Sequence, residues 1–308
     1  MKIAVMGAGA LGGYFGGRLA AAGADVSFIA RGAHLAALKA EGLRVESPLG
    51  DLHLPQVKAT EDPAEIGPVD LVLFLVKLPD TRAAARALAP LLGPETGVLS
   101  LQNGVEAWGW IGEEIGAGRV MGGTAQIPAD IRAPGVIRHS GPFARVAFGE
   151  FGGAETGRAR ALLAAFEAAG VEVSLAPDIE VKIWEKFVML SAFSALTALT
   201  RLPIGPVREN PETRGLLARA IAETHAVGRA ERPALAADYA DRAMGFVDAA
   251  PAGMRSSMLD DLLRGRPLEL AYLSGAVARL GAERGIETPV HDFVAKALSP
   301  FASGAPKA

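Results

Sequence analysis

The first 175 residues alternate short apolar runs with stretches that have helical spacing. Residues 2–6 are mostly apolar, a glycine-rich turn and a helical stretch over 11–22 follow, and residues 25–30 form a second apolar run. A strand, a turn, a helix and a second strand within about 30 residues match the spacing of a βαβ unit. Such a unit predicts a right-handed crossover and a parallel sheet.

The alternation continues beyond this first unit. The strongly apolar run 71–76 predicts a strand that is buried on both faces, as parallel strands usually are. Helices are predicted over 34–41, 80–92 and 156–169. Further strands are predicted over 97–101, 119–127, 135–139, 144–149 and 171–175, and a hairpin over 43–47 and 52–57.

After about residue 178 the strand signals nearly vanish. Helices are predicted over 179–200, 211–230, 235–249, 255–264, 267–284 and 290–298, separated by prolines and glycines. An alternating half followed by a helical half indicates two domains. The predicted fold is therefore α/β: an N-terminal Rossmann domain with a doubly wound sheet over residues 1–176, and an all-α C-terminal domain over residues 177–308.

The glycine-rich turn carries the first chemical signal. Six residues have the G-x-G-x-x-G spacing after a strand and before a helix: Gly7, Ala8, Gly9, Ala10, Leu11 and Gly12. The first glycine permits a tight turn, the second leaves room for a pyrophosphate, and the third lets the helix approach the sheet. The alternative is an ordinary glycine loop, but its position between strand and helix favours dinucleotide binding.

The end of the second strand distinguishes two cofactors. Domains that bind NAD usually place Asp or Glu there, where the carboxylate bonds the ribose 2′-hydroxyl. This chain has Ala30, Arg31 and Gly32 instead. A guanidinium pairs well with a phosphate dianion, so Arg31 predicts NADP(H). The alternative is that Arg31 is a solvated loop charge.

Two further strands end in polar residues at the edge where ligands bind in open α/β sheets. The run 71–76 is followed by Lys77, and the strand near 97–101 is followed by Gln102, Asn103 and Gly104. We expect Lys77 to reach the cofactor or a substrate anion, and Asn103 to bond the nicotinamide ribose or a substrate oxygen. Each could instead be a turn residue, since Asn-Gly is a common turn dipeptide.

Composition narrows the classes of function. Hydrophobic residues make up 50% of the 308, the formal net charge is −3, and the sequence has no cysteine and five histidines without metal-site spacing. This balance argues against a nucleic-acid partner and against a dedicated metal site. The N-terminal apolar run is too short for a signal peptide, and no uninterrupted run of 18 apolar residues predicts a membrane span. We therefore expect a soluble cytoplasmic protein without a membrane partner.

The helical half supplies a second group of candidates. Lys186, Leu190 and Ser194 are four residues apart and share one helix face. A lysine in an apolar helix beside Trp184 would be partly desolvated, which eases loss of its proton. Further along are Ser256, Ser257 and Glu269, for which helix capping or a solvated charge is an equally good interpretation.

Taken together, these segments resemble the ketopantoate reductase (2-dehydropantoate 2-reductase) family over nearly the whole length. The order and spacing of the matching segments are specific to that family, whereas the glycine turn alone would not be. The segments are Gly7 to Gly12, Val76-Lys77, Gln102 to Val105, Ile183 to Phe187, Ser256 to Asp260 and Gly265 to Glu269.

The resemblance implies reduction of a 2-keto acid by NADPH, with ketopantoate becoming (R)-pantoate for pantothenate biosynthesis. It implies that Lys186 is the general acid at the ketone oxygen, and that Glu269 orients this lysine and the substrate. It also implies that Asn103 and Ser257 bind substrate, with Asn103 close to the nicotinamide as well. Arg31 and Lys77 match positions on the NADP phosphate side. The family includes dimers, so a homodimer is a further expectation.

Three positions depart from the family pattern. Leu190 and Ser194 stand where many members have substrate-binding asparagines, and Met254 stands where asparagine is frequent. We still expect Ser194 to contact substrate, but the pocket becomes more apolar, so a different and bulkier 2-keto acid is an alternative to ketopantoate. A non-catalytic NADP-binding regulator is a third possibility, disfavoured because both Lys186 and Glu269 are present.

Overall fold

The computed structural model describes residues 1–306, which contain twelve strands and twelve α-helices. The strands are β1 (Lys2–Met6), β2 (Asp25–Ile29), β3 (Leu43–Glu46), β4 (Leu52–Leu54), β5 (Lys58–Thr60), β6 (Val69–Phe74), β7 (Leu92–Ser100), β8 (Val120–Gln126), β9 (Ala129–Ala133), β10 (Val136–His139), β11 (Arg145–Glu150) and β12 (Glu172–Leu175). The helices are α1 (Ala10–Ala21), α2 (Gly32–Glu41), α3 (Thr81–Arg86), α4 (Ala107–Ile115), α5 (Gly157–Ala168), α6 (Ile179–Thr200), α7 (Ile204–Glu209), α8 (Pro211–Glu231), α9 (Tyr239–Ala249), α10 (Ser257–Leu263), α11 (Ser274–Arg284) and α12 (Pro289–Leu298).

Eight strands form the main sheet in the order β12-β11-β8-β7-β6-β1-β2-β5. The six strands from β5 to β8 are parallel to their neighbours, and their order corresponds to the 3-2-1-4-5-6 arrangement of a Rossmann sheet. Strand β11 pairs antiparallel with β8 and extends the sheet on that side. The predicted doubly wound fold is confirmed.

Both faces of this sheet are covered. Successive side chains of a strand point to opposite faces, so Ile3 and Val5 join one buried cluster while Ala4 and Met6 join another. The first cluster includes Phe15 of α1 and Phe166 of α5, and the second includes residues of α3 and α4. The apolar strand pattern in the sequence is the direct cause of this double-sided burial.

A second sheet of four strands, β4-β3-β10-β9, packs against α1. The predicted hairpin is present as the antiparallel pair β3 and β4. The sequence did not predict β9, nor that β10 would leave the main sheet. Glycines in α1 permit this packing, because a Cβ at Gly13 would lie 2.7 Å from Ile137 and one at Gly17 would lie 3.0 Å from Leu43.

The chain from α6 onward is helical, as predicted. One predicted helix was wrong in extent: residues 267–284 form a helix only from Ser274, after a short 3₁₀ turn at Leu270–Tyr272. Gly265 has φ +63° and Pro267 follows it, which together interrupt helical geometry. Glu269 therefore lies on an irregular segment just before the 3₁₀ turn and not on a helix.

The chain separates into two compact units, Met1–Lys182 and the residues from Ile183 onward. This division falls inside α6, whose first residue is Ile179. Because a helix is a continuous element, we keep the domain boundary at 176/177 as a proposal, at the point just before α6 begins.

Candidate functional site

The glycine turn after β1 is built by close backbone approach. Gly7 has φ +97°, and a Cβ there would lie 2.8 Å from the backbone nitrogen of Val76. A Cβ at Gly12 would lie 2.2 Å from the carbonyl oxygen of Gly7. The turn therefore lies directly against the segment that follows β6. This is the topological switch point between β1 and β6, where ligands bind in such sheets.

Gly9 differs from the other glycines of the turn. Its backbone is extended, and a Cβ built on it would meet no atom within 4 Å. It precedes α1 without supplying a side-chain cap, so no side chain of Gly9 pairs with the first-turn N–H groups of α1. Open space and N–H donors together fit a pyrophosphate, which the positive end of the helix dipole also favours.

The end of β2 is fixed to the same turn. The backbone nitrogens of Gly7 and Ala8 both donate to the carbonyl oxygen of Ile29, at 3.3 and 3.0 Å. Arg31 follows, exposed and in extended conformation, as the residue before α2. Its guanidinium and the open N-terminus of α2 fit a ribose 2′-phosphate.

His34 also lies against the glycine turn, which the sequence did not reveal. Burial lowers the pKa of His34, and a hydrogen bond with the backbone of Ala8 partly opposes this effect. Its Nδ1 accepts the N–H of Gly135 at 3.1 Å. The imidazole joins α2 to Gly135, between β9 and β10, beside the glycine turn.

The segments after β6 and β7 are joined by Gln102. Its side-chain amide donates to the carbonyl oxygen of Val76 at 2.9 Å and to Thr81 Oγ1 at 2.8 Å. This places exposed Lys77 and half-buried Asn103 on adjacent segments at the carboxyl ends of neighbouring strands. Gln102 was not a predicted site residue, although its place at a strand end gave the same signal as Asn103.

In the helical unit, Lys186 of α6 has a strongly perturbed acidity. Burial lowers the pKa of Lys186 to about 8, and the negative charge of Glu269 opposes this shift. The structure therefore brings together the two residues that the sequence proposed as a catalytic pair. A lysine with a pKa close to neutrality can give up and regain a proton readily.

Ser194 lies two turns after Lys186 and is fully buried. Among residues 1–306 its hydroxyl has no hydrogen-bond partner. Buried hydroxyls are normally paired, so this one is suited to a substrate oxygen. Leu190, between the two, is half-buried and apolar.

Ser256 and Ser257 have different roles. The Oγ of Ser256 caps α10 by accepting the N–H of Leu259 at 3.0 Å, and it also bonds Thr197 of α6 at 2.8 Å. Ser256 thus has the capping role that the sequence left open. Ser257 is exposed at the first position of α10. The bond between Ser256 and Thr197 fixes the place of Ser257 relative to α6.

Helix α6 is held against α8 by a contact that sequence reasoning missed. A Cβ at Gly228 of α8 would lie 2.8 Å from the ring of Trp184, so only glycine lets the indole pack here. Trp184 is 5% exposed and stacks edge-on against Phe187. The isolated glycine inside an otherwise helical pattern was the available signal.

The Rossmann sheet, the glycine turn and the perturbed lysine on an all-α region define an oxidoreductase of the dinucleotide-binding class. Residues 3–153 match the family described as ketopantoate reductase PanE/ApbA, and residues 178–302 match the C-terminal domain of that family. The chain belongs to this family.

Several named proteins are similar to this chain over nearly its full length. The chain is 34% identical to the 2-dehydropantoate 2-reductase of Mesorhizobium japonicum, with 96% of this chain and 95% of that protein covered. The crystal structure of 2-dehydropantoate 2-reductase from Geobacter metallireducens is 35% identical, with a TM-score of 0.91 and coverage of 97% and 99%. A PanE/ApbA family ketopantoate reductase from Ralstonia eutropha is 34% identical, with a TM-score of 0.89 and coverage of 98% for both chains.

Proposed function

We propose that this protein reduces a 2-keto acid with NADPH, and that 2-dehydropantoate (ketopantoate) is the substrate, with (R)-pantoate as the product for pantothenate biosynthesis. The observation that carries the proposal is the Lys186 side chain, whose pKa of about 8 places a proton donor near neutrality beside the carboxylate of Glu269. Full-length similarity to proteins named 2-dehydropantoate 2-reductase supports the choice of substrate.

The chemistry assigned to Lys186 follows from charge. Bound NADPH supplies a hydride to the carbonyl carbon, so negative charge grows on the ketone oxygen. The Lys186 ammonium stabilises this charge and donates its proton to the oxygen, which yields the 2-hydroxy acid. Solvent then returns a proton to the amine. Glu269 keeps Lys186 protonated, Ser257 binds the substrate carboxylate, and Asn103 and Ser194 bond substrate oxygens.

The residues of the glycine turn and of two strand ends are proposed to hold NADP(H). Gly7, Ala8, Gly9, Ala10, Leu11 and Gly12 receive the pyrophosphate. Arg31 pairs with the 2′-phosphate, Lys77 reaches the phosphate side, and Asn103 bonds near the nicotinamide. The open space at Gly9 supports binding of a dinucleotide pyrophosphate. The absence of a carboxylate from the three residues after β2 (Ala30, Arg31 and Gly32) supports NADP(H) over NAD(H).

Substitution of the lysine tests the proposal. Lys186→Ala should lower kcat for keto-acid reduction at least about 100-fold, because general acid catalysis is worth about 10²–10⁴-fold. The Kd for NADPH should stay within a factor of two. Lys182→Ala, one turn earlier on α6 and exposed, is the matched control and should keep normal turnover. Near-normal turnover of Lys186→Ala would remove this residue from the mechanism.

A second substrate remains a candidate because of Leu190. This half-buried leucine and Ser194, four residues later, make the proposed substrate face of α6 more apolar than two asparagines would. A pocket with fewer hydrogen-bonding groups discriminates less strictly between acids. Comparison of kcat/KM for ketopantoate with bulkier 2-keto acids decides between the two candidates, and a value for a bulkier acid at least tenfold higher would displace ketopantoate.

We also propose a soluble cytoplasmic enzyme that forms a homodimer. Helix α6 is long and apolar enough to cross a membrane by composition, yet it is mostly buried within the protein, as is usual for the core helix of a soluble protein. Light scattering after size-exclusion chromatography measures the oligomer directly, and a monomeric mass would remove the dimer from this proposal.

A further inference from the structure

A chain of four buried side chains runs through the helical unit. Ser191 Oγ of α6 bonds Thr224 Oγ1 of α8 at 2.9 Å, and Thr224 Oγ1 bonds His291 Nε2 of α12 at 2.8 Å. His291 Nδ1 then bonds Ser274 Oγ, at the start of α11, at 3.2 Å. All four residues are 0% exposed. Four hydroxyl and imidazole groups thus connect four different helices without contact with water.

The carbonyl oxygen of Ala220 determines the direction of these bonds. It lies 3.0 Å from His291 Nε2, and a carbonyl can only accept, so Nε2 carries the proton. Nδ1 is then the acceptor and takes the hydroxyl proton of Ser274. Burial lowers the pKa of His291 to about 4. The imidazole is therefore neutral at physiological pH, and each of its nitrogens is paired.

The backbone of His291 is fixed as well. The carboxylate of Glu223, on α8, accepts the N–H groups of Val290 at 2.9 Å and of His291 at 3.1 Å. These are first-turn N–H groups of α12, whose own preceding residue, Thr288, provides no side-chain cap. Neighbouring residues of α8 thus hold both the main chain and the ring of His291.

The two ends of this chain lie close in sequence to Lys186 and Glu269. Ser191 is five residues after Lys186 on one continuous helix, which corresponds to a rise of about 7.5 Å. Ser274 is five residues after Glu269, across the 3₁₀ turn. The carbonyl oxygen of Glu269 accepts the N–H groups of Tyr272 and Leu273 at 3.0 and 3.1 Å, so this short connection is also ordered.

We propose that the chain Ser191, Thr224, His291 and Ser274 is a positioning device that sets the distance between the Lys186 ammonium and the Glu269 carboxylate. The inference rests on the proposed function for its meaning in catalysis. Its residues are fully buried and are not among the residues proposed to bind substrate or cofactor. They act by holding α6 and the segment before α11 in one register, so that the carboxylate stays where it favours the protonated lysine.

A change in the distance between Lys186 and Glu269 can be measured through the pKa of Lys186. Glu269 acts on Lys186, whereas the adjacent Glu185 acts on Tyr239 of α9, whose pKa burial raises to about 12. If the chain is broken and Glu269 moves away, Lys186 loses the charge that raises its pKa. The pKa of Lys186 should then fall below about 8.

The primary test compares His291→Ala with the wild-type enzyme. In protein labelled with ¹³C-lysine, the Cε signal of Lys186, assigned by its absence in Lys186→Arg, reports the pKa of the amine without any need for turnover. We expect this pKa to fall, and kcat for keto-acid reduction to fall about 10- to 100-fold, as small misplacements of catalytic groups do. The KM for NADPH should change less than twofold.

A buried histidine elsewhere provides the matched control. His139 of β10 is 2% exposed and bonds Ser47 and the carbonyl oxygen of Phe143, so His139→Ala should lose comparable stability. It should leave the Lys186 titration and kcat unchanged. Unchanged titration and kcat in a folded His291→Ala would overturn the proposal, and so would equal changes in both histidine variants.

If His291→Ala fails to fold, two milder variants test the same proposal. Ser191→Ala and Ser274→Ala each remove one hydroxyl from opposite ends of the chain. If the four residues act as a unit, each should lower kcat and the pKa of Lys186, and the double variant should be no worse than the stronger single one. Additive or absent effects would refute the device. If the wild type reduces no 2-keto acid, the proposed function fails, yet the lysine titration still decides whether this chain positions the pair.

Discussion

Replacement of Gly9 by alanine separates cofactor binding from folding. The backbone at Gly9 has φ −71° and ψ −157°, which alanine can adopt, and the new Cβ would meet no protein atom within 4 Å. Stability should therefore hold or rise by about 0.4–1 kcal/mol, because alanine restricts the unfolded chain. The methyl group would occupy the space proposed for the pyrophosphate. An overpacked contact costs about 1–3 kcal/mol, which corresponds to a loss of NADPH affinity of roughly 5- to 150-fold.

Gly12→Ala should lower both the stability and the NADPH affinity. Its Cβ would lie 2.2 Å from the Gly7 carbonyl oxygen and 2.9 Å from Val5 Cγ1. Carbon and oxygen atoms normally stay about 3.3 Å or more apart, so α1 must move by roughly 1 Å. We expect a fall in the free energy of unfolding of about 1–3 kcal/mol, together with weaker NADPH binding.

Two measurements on purified Gly9→Ala and Gly12→Ala distinguish a loss of cofactor binding from a loss of stability. Urea unfolding without cofactor gives the free energy of unfolding, and quenching of intrinsic tryptophan fluorescence by NADPH gives the Kd. Gly23→Ala is an unsuitable control because Gly23 has φ +94°, whereas Gly109 has ordinary φ and open space around its Cβ position. Gly109→Ala, inside α4, should hold or raise the stability by about 0.5–1 kcal/mol and leave the NADPH affinity unchanged. Unaltered NADPH affinity in Gly9→Ala would refute the placement of the pyrophosphate.

Three other predictions follow from the same geometry. The kcat/KM for reduction should fall about tenfold per pH unit above the Lys186 pKa of about 8, since the acid must be protonated to act; a rate profile without this break would contradict the assignment. Arg31→Ala should weaken NADPH binding far more than NADH binding in parallel titrations, whereas equal weakening would disprove the 2′-phosphate contact. Gly228→Ala should lower stability by about 1–3 kcal/mol through its clash with Trp184, whereas Gly215→Ala, with open space on the same helix, should not; similar unfolding curves would show that this packing matters little.

Most of the fold could be predicted from local pattern. In β6 the residues from Leu71 to Phe74 are all apolar because both faces of the strand are buried there. This burial can be predicted directly from the sequence. The second sheet was not visible in this way. The departure of β10 from the main sheet depends on long-range pairing with β3, which no local window records. The segment around Glu269 was misjudged because its composition is helical, whereas Gly265 and Pro267 decide its backbone.

The residues of the candidate site that could be predicted are those at the ends of strands, where glycine, a charged residue or a polar residue follows an apolar run. Gly9, Arg31 and Asn103 are conspicuous for that reason. The residues that hold the site together were not predicted, because a buried serine, threonine or histidine in a helix has no distinctive spacing. Thr224 and His291 meet only after α8 and α12 have packed, so their contact is a property of tertiary structure.

One side of α6 packs on α8 and another side carries Lys186. This separation determines where substitutions can change the substrate preference. At 100° per residue, Trp184 and Ser191 point to nearly the same side, whereas Lys186 and Leu190 point away from it. The first side is fastened to α8 through Gly228 and Thr224. Substitutions at position 190 therefore leave that fastening intact. A laboratory selection for reduction of new acids should accumulate changes at this position and preserve 184 and 191.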